Sequence, residues 1–303
     1  MTKAMNYADY IVNYCINIER PISNRHMIFI LYALQGYYMK RYGAMLFPEH
    51  FEAWWFAPTL RSVYTKYCGY GASEIVFKNS SVMIDKDIRQ FIDPIIKEMS
   101  TMDIWDLYDF AKIRDGAWEK TYRNGKGKYY AIEQEDILSE FRDIRSTLQC
   151  DVVDLAEYIK WMCLQEHFPI AHLCLHRILY VLQGCRLAKT NTALFDDDFQ
   201  VWACGAIIPR AYDKNSLHGG FRIITAEKPK NKIPVDIQLQ INPIIRKIRS
   251  MDHYGLIVNT HPEGGAWDQI YKSDGLYSII PNSLIRTEFQ KHTPIDYLKE
   301  SIV

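Results

Sequence analysis

The sequence predicts a mainly α-helical protein with a minor antiparallel β element, an α+β chain built as two tandem homologous domains. Three observations carry this. The chain repeats itself over nearly its whole length, apolar residues recur at three- and four-residue intervals, and turn residues interrupt those periodic runs. The 303 residues are 48% hydrophobic and 14% aromatic, a composition that folds rather than staying disordered. Either one large domain or two of ordinary size fits that length, and each can bury a core.

The duplication decides between them. At one constant offset Ala8, Tyr10, Ile11, Cys15, Pro21 and Ile22 fall on Ala156, Tyr158, Ile159, Cys163, Pro169 and Ile170. The register continues through Leu31-Tyr32 and Leu34-Gln35-Gly36 onto Leu179-Tyr180 and Leu182-Gln183-Gly184, then through Phe47, Phe51, Trp54 and Tyr64 onto Phe195, Phe199, Trp202 and Tyr212. After a one-residue insertion Gly116-Ala117-Trp118 meets Gly265-Ala266-Trp267, and Phe141 meets Phe289 once the first offset returns. Composition alone does not place so many identities in register. The junction is expected within residues 142–151, giving domains 1–147 and 148–303.

Within the first copy, residues 8–19 read as a helix that stops before Pro21, because the residue preceding a proline leaves the helical region. Ser23 or Asn24 caps a second helix whose Ile28, Leu31, Tyr32 and Gln35 share one face, and Gly43 offers its stop. Residues 51–56 are short enough to be a strand or a turn into the next helix, which carries Tyr64 and ends near Gly69. Residues 85–99 are helix-like around Pro94, as one kinked helix or as two with Asp93 capping the second. Ser100 and Asp103 have capping-box spacing before Ile104, Leu107 and Phe110. A turn at 125–127, a strand at 129–132 and a last helix from about Glu135 complete the unit.

Charge and cysteine usage exclude several classes. The 36 basic and 36 acidic residues give a net charge of +0, so no bulk attraction draws the chain to DNA or to an anionic membrane. Seven cysteines with no C-x-x-C pair argue against a disulfide framework and a zinc ribbon, and for a reducing, cytoplasmic setting. No apolar signal region opens the chain. The longest uncharged stretch, residues 27–39, is too short to span a bilayer.

The order Leu31-Tyr32-x-Leu-Gln-Gly, Leu46-Phe47, Phe51-x-Ala-Trp54, Ala57-Pro58 and Tyr64 resembles the Panacea antitoxin domain family, including its phage-associated members. The second copy carries the same landmarks as Leu179-Tyr180-x-Leu-Gln-Gly, Leu194-Phe195, Trp202, Gly205, Pro209 and Tyr212, followed by Thr260-His261 and Trp267. The family's Trp-x-x-Gly-Pro stretch is Ala57-Pro58 in the first copy and Gly205-Ala206 in the second, and Lys112 stands in the first copy at the place of His261. The resemblance implies a compact, mostly helical antitoxin-like domain of a toxin–antitoxin system. Such a domain binds a partner protein, a toxin, and either neutralises it directly or presents it to a protease. It brings no catalytic residues, cofactor or metal.

Trp54, Pro58, Tyr64, Trp118, Trp202, Gly205, Pro209, Tyr212, His261 and Trp267 are therefore the candidate partner-binding residues, since aromatic side chains commonly anchor interfaces. Core packing competes with that reading for every ring. His172 and His176 lie one helical turn apart around Cys174, but no third ligand follows at metal-site spacing, and core-edge histidines account for them better. Lys120, Arg123, Lys126 and Lys128 with Tyr122, Tyr129 and Tyr130 mix charge and stacking as a single-stranded nucleic-acid site does. A basic turn is the plainer account, and nucleic acid is not the expected partner. Asp196-Asp197-Asp198 reads as a helix start, and Lys228, Lys230 and Lys232 as a solvated loop. With no nucleophile elbow, P-loop or dinucleotide turn, the chain is expected not to be an enzyme, the alternative being a hydrolase whose residues converge only in space. An adaptor holding a client on one copy and a protease on the other is the rival binding role.

Overall fold

The computed structural model describes residues 2–78, 82–218, 221–229, 231–249 and 262–291. Residues up to Thr147 form one compact unit, and the described residues from Leu148 onward form a second. The first contains α1 (Ala4–Asn17), α2 (Asn24–Tyr42), β1 (Glu52–Ala53), β2 (Pro58–Thr59), α3 (Arg61–Tyr67), α4 (Lys86–Met99), α5 (Ile104–Ala111), α6 (Ala117–Tyr122) and α7 (Gln134–Ser139). The second contains α8 (Val152–Gln165), α9 (His172–Thr190), β3 (Phe199–Trp202), β4 (Gly205–Ile207), α10 (Pro209–Asn215), α11 (Val235–Arg249), α12 (Ala266–Ser273), β5 (Ile279–Ile280) and α13 (Asn282–Lys291). The architecture is mainly α with two small antiparallel sheets.

Each unit is organised around its second helix. Residues 27–37 of α2 are buried without interruption, as are residues 174–187 of α9. The one-faced pattern expected for these helices is thus a minimum, because a helix packed on all sides needs apolar residues all round. Ser23 caps α2 by accepting from the His26 amide, and Gly43 closes it in the left-handed region at φ 65°. Asn191 does the same for α9 at φ 57°, which asparagine tolerates better than most residues.

The Leu-Tyr-x-Leu-Gln-Gly stretch ties the elements of its own unit together from inside, once in each unit. Gln35 Oε1 accepts from the Leu46 and Phe47 amides, while its Nε2 donates to the Phe47 carbonyl and to Gln134 Oε1. Gln183 repeats this with the Leu194 amide, the Phe195 carbonyl and Asn282 Oδ1. Tyr32 donates to Glu140 at 2.8 Å, and Tyr180 to Glu288 at 2.8 Å. The same carboxylates accept from the first helical amides of α6 and α12, Ala117 and Ala266, each at 2.7 Å, where the positive end of a helix favours an anion. Gly36 and Gly184 let the Phe141 and Phe289 rings press on the helix backbone: an added Cβ would lie 2.2 and 2.3 Å from those rings.

Several local expectations change. Lys86–Met99 is one helix through Pro94, and Asp93, instead of capping a second segment, accepts from Tyr10 at 2.7 Å. The carbonyl that Pro94 cannot serve belongs to Gln90, an exposed residue. Ser100 ends α4 and donates to the Lys97 carbonyl, so Asp103 caps α5 alone by accepting from the Trp105 amide. No helix starts at residues 196–198, which lead into β3, and Asp197 pairs with Arg210. The strand expected at 129–132 is a single bridge, Ala131 to Glu52, whereas its counterpart Ile279 sits in β5 opposite Gln200 at the same register. Lys228 and Lys232 are exposed loop residues, and Lys230 lies outside the described residues.

Candidate protein-binding surface

The short hairpins carry the tryptophans. In the first unit β1 and β2 pair as Glu52 with Thr59 and Ala53 with Pro58, and the turn between them presents Trp54 and Trp55. Trp54 packs on Tyr64 of α3 at 5.0 Å between centroids and on Tyr129 at 5.3 Å. Its Nε1 donates to Glu52 at 2.9 Å. Arg61 stands over Trp54 and Tyr129 at 5.5 and 5.6 Å and clamps Glu52 through Nε and Nη2 at 2.9 and 2.6 Å. Burial pushes the Glu52 carboxyl up, but the hydrogen bonds from Arg61 and Trp54 outweigh it and hold the group below the usual carboxylate range.

The second unit rebuilds the cluster. Trp202 packs on Tyr212 at 4.8 Å and on Tyr277 at 5.7 Å, and its Nε1 donates to Gln200 at 3.1 Å. Glutamine in place of glutamate removes the charge, and Pro209 stands where the first unit has Arg61. Tyr212 instead lies against His172 and His176 at 4.6 and 5.9 Å.

Trp54, Tyr64, Trp202 and Tyr212 are therefore brought together in pairs, each half-buried. Trp118 joins the first cluster through its Nε1, which donates to the Trp54 carbonyl at 2.7 Å. It does not present its ring as expected: it is 8% exposed, stacked on Tyr122 at 4.6 Å and covered by Lys112, whose Nζ is 3.9 Å from the ring centre. Trp267 is half-buried and stacked on Tyr271 at 5.0 Å. Pro58 and Gly205 are buried within β2 and β4, so neither offers a surface. Pro209 is the first residue of α10, a site that suits its fixed φ, and it has no structural equivalence with Pro58. His261 lies outside the described residues.

Two tyrosines outside the candidate partner-binding set, one of them read from the sequence as part of the basic turn, also lie against the hairpins. Tyr129 and Tyr277 occupy equivalent positions in the left-handed region, at φ 70° and 68°, where a bulky residue is strained by roughly 1 kcal/mol or more. Both are exposed, 46% and 67%, and both rings lean on the hairpin tryptophan. Trp55, 57% exposed, extends the surface in the first unit alone, because Ala203 stands at its place in the second.

Burial shifts the titration of several buried cysteines and of His176. Burial pushes the Cys15 and Cys163 thiols up to about 12 and the Cys174 thiol to about 11, so they pack as small apolar groups at neutral pH. His176 Nδ1 accepts a hydrogen bond from the Ile208 amide at 3.4 Å, leaving Nε2 facing His172 Nε2 at 3.4 Å. Burial first, then His172 and Arg177, push its pKa down to about 3. No cluster of three metal-ligating side chains occurs among the described residues, and none of their helices is long and apolar enough to cross a membrane. Comparisons with family models, curated proteins and solved structures find no match to this chain.

Proposed function

We propose that the chain is a non-enzymatic protein-binding module, antitoxin-like in the sense of the Panacea resemblance. It holds a partner toxin of a prokaryotic or phage conflict system on the hairpin aromatic surfaces of its two units. The observation that carries the reading is the pairing of a half-buried Trp with an exposed, left-handed Tyr in both units, Trp54 with Tyr129 and Trp202 with Tyr277. Strain kept at an exposed aromatic residue is the mark of a surface used for recognition. A cytoplasmic setting accompanies this reading.

Tyr129→Gly and Tyr277→Gly test it cleanly, because glycine suits φ near 70°. Each variant is expected to keep thermal stability within a few degrees of the parent. Each is also expected to lose about tenfold or more in retention of the partner recovered from the native host, and with it rescue of growth on co-expression. Full retention by the double variant refutes the surface.

The adaptor reading rests on a separate observation: the hairpin tip is Trp55-Phe56 in one unit and Ala203-Cys204 in the other. Under it, the two glycine variants release different proteins, a client and a protease. Loss of the same single protein from both refutes that division.

A further inference from the structure

The two hairpin tips differ most in what lies beneath them. In the first unit Phe29 of α2 and Phe56 of the turn are buried aromatic rings. At the equivalent places the second unit has Arg177 on α9 and Cys204 in the β3–β4 turn. Arg177 is 8% exposed. Its Nη2 reaches only the Cys204 carbonyl, at 3.4 Å, longer than a normal N–H···O bond, and its Nε finds no acceptor. Among the described residues no carboxylate pairs with it; the neighbours that act on its charge are the Cys174 and Cys204 thiols.

A guanidinium does not give up its proton in a protein, and a buried charge without a counter-charge is strongly unfavourable. Burial accordingly pulls the Arg177 pKa down, with only slight relief from the two thiols. The Nε–Nη2 edge is the edge that binds a carboxylate or phosphate through two parallel hydrogen bonds. Here one of those donors is unused and the other weakly used, beneath a turn whose side chains, Ala203 and Cys204, are small.

We propose that Arg177, under the β3–β4 turn of the second unit, is a binding site for a small oxyanion, a phosphate or carboxylate group gripped by the Nε–Nη2 edge. The proposal does not depend on any protein partner. At this tip the second unit carries a guanidinium and a thiol where the first carries two buried rings, so N–H donors stand where the first unit is apolar. Phosphate and carboxylate share the grip and differ in source, free ion or acidic side chain.

The test uses the full chain and three probes at matched ionic strength: inorganic phosphate, acetate and chloride. In the wild-type protein the Arg177 Nε–Hε resonance is expected to move downfield and saturate with phosphate or acetate, with a parallel rise in melting temperature. Arg177→Lys, which keeps the charge without the fork, is expected to bind about tenfold more weakly. Arg177→Phe, the residue of the first unit, is expected to lose the response. Stronger binding of phosphate identifies a phosphate source, and stronger binding of acetate an acidic side chain. A resonance unmoved by both, an equal effect of chloride, or an undiminished response in Arg177→Phe overturns the proposal. The wild-type resonance alone decides the question even where a variant fails to fold.

Discussion

Replacing Glu140 with Gln removes one charge from the most buried polar network of the first unit. The carboxylate accepts from Tyr32 at 2.8 Å, from the Ala117 amide at 2.7 Å, and from Arg145 Nε and Nη2 at 2.7 and 2.5 Å. Both Glu140 and Arg145 are fully buried. In the variant Arg145 keeps its bond to the Phe110 carbonyl at 2.6 Å and its place between the Phe110 and Phe141 rings, at 3.9 and 4.5 Å, but loses its counter-charge. Breaking a buried pair from one side costs about 3–5 kcal/mol, and an amide donor now faces the Arg145 or Ala117 donors. Native-state hydrogen exchange of the α2 amides against those of α9 reads the loss unit by unit. Protection of α2 is expected to fall by that amount, with α9 unchanged. A fall of under about 1 kcal/mol would refute the claim that this ion pair holds the first unit together.

Two further outcomes concern packing and acid. Gly36→Ala and Gly184→Ala drive a methyl into Phe141 and Phe289 respectively; overpacking of about 1–3 kcal/mol exceeds the roughly 1 kcal/mol gained in helix propensity. Each is expected to destabilise its own unit in a urea titration followed by exchange, and net stabilisation by either would contradict the close ring approach. Acid acts through His176, whose folded pKa near 3 lies below its ordinary 6.5. The unfolded chain therefore binds the extra proton between those values, so stability is full near neutral pH. It then declines by up to about 1.4 kcal/mol per pH unit as pH falls from 6.5 toward 3. His176→Asn is expected to flatten the slope by one proton; an unchanged slope in denaturation from pH 7 to 5 would show the imidazole to be ordinary.

The duplicated landmarks made the architecture legible along the chain. Ser23, Gly43 and Asp103 terminate helices as their local chemistry dictates, because capping involves groups within a few residues. Pro94 left one helix or two open, and the buried apolar face of Phe91, Ile92, Ile95 and Ile96 carries a single helix through it. For Trp118 the sequence leaves a lip and a core equally open, and the ring lies buried under Lys112 and stacked on Tyr122.

By itself the sequence determined that landmarks recur in register along the chain, that the chain is mainly helical, and which residues recur. Those properties follow from periodicity, caps and identities in register, all of which are local or additive along the chain. Tertiary structure alone decided what the recurring residues do. It brought Glu140 to Tyr32 and Glu288 to Tyr180 across more than a hundred residues, turned Tyr129 and Tyr277 into strained surface rings, and buried Arg177 beneath a turn of small side chains. Burial, hydrogen-bond partners and backbone strain are set by neighbours distant in sequence. No pattern along the chain encodes them until those neighbours meet.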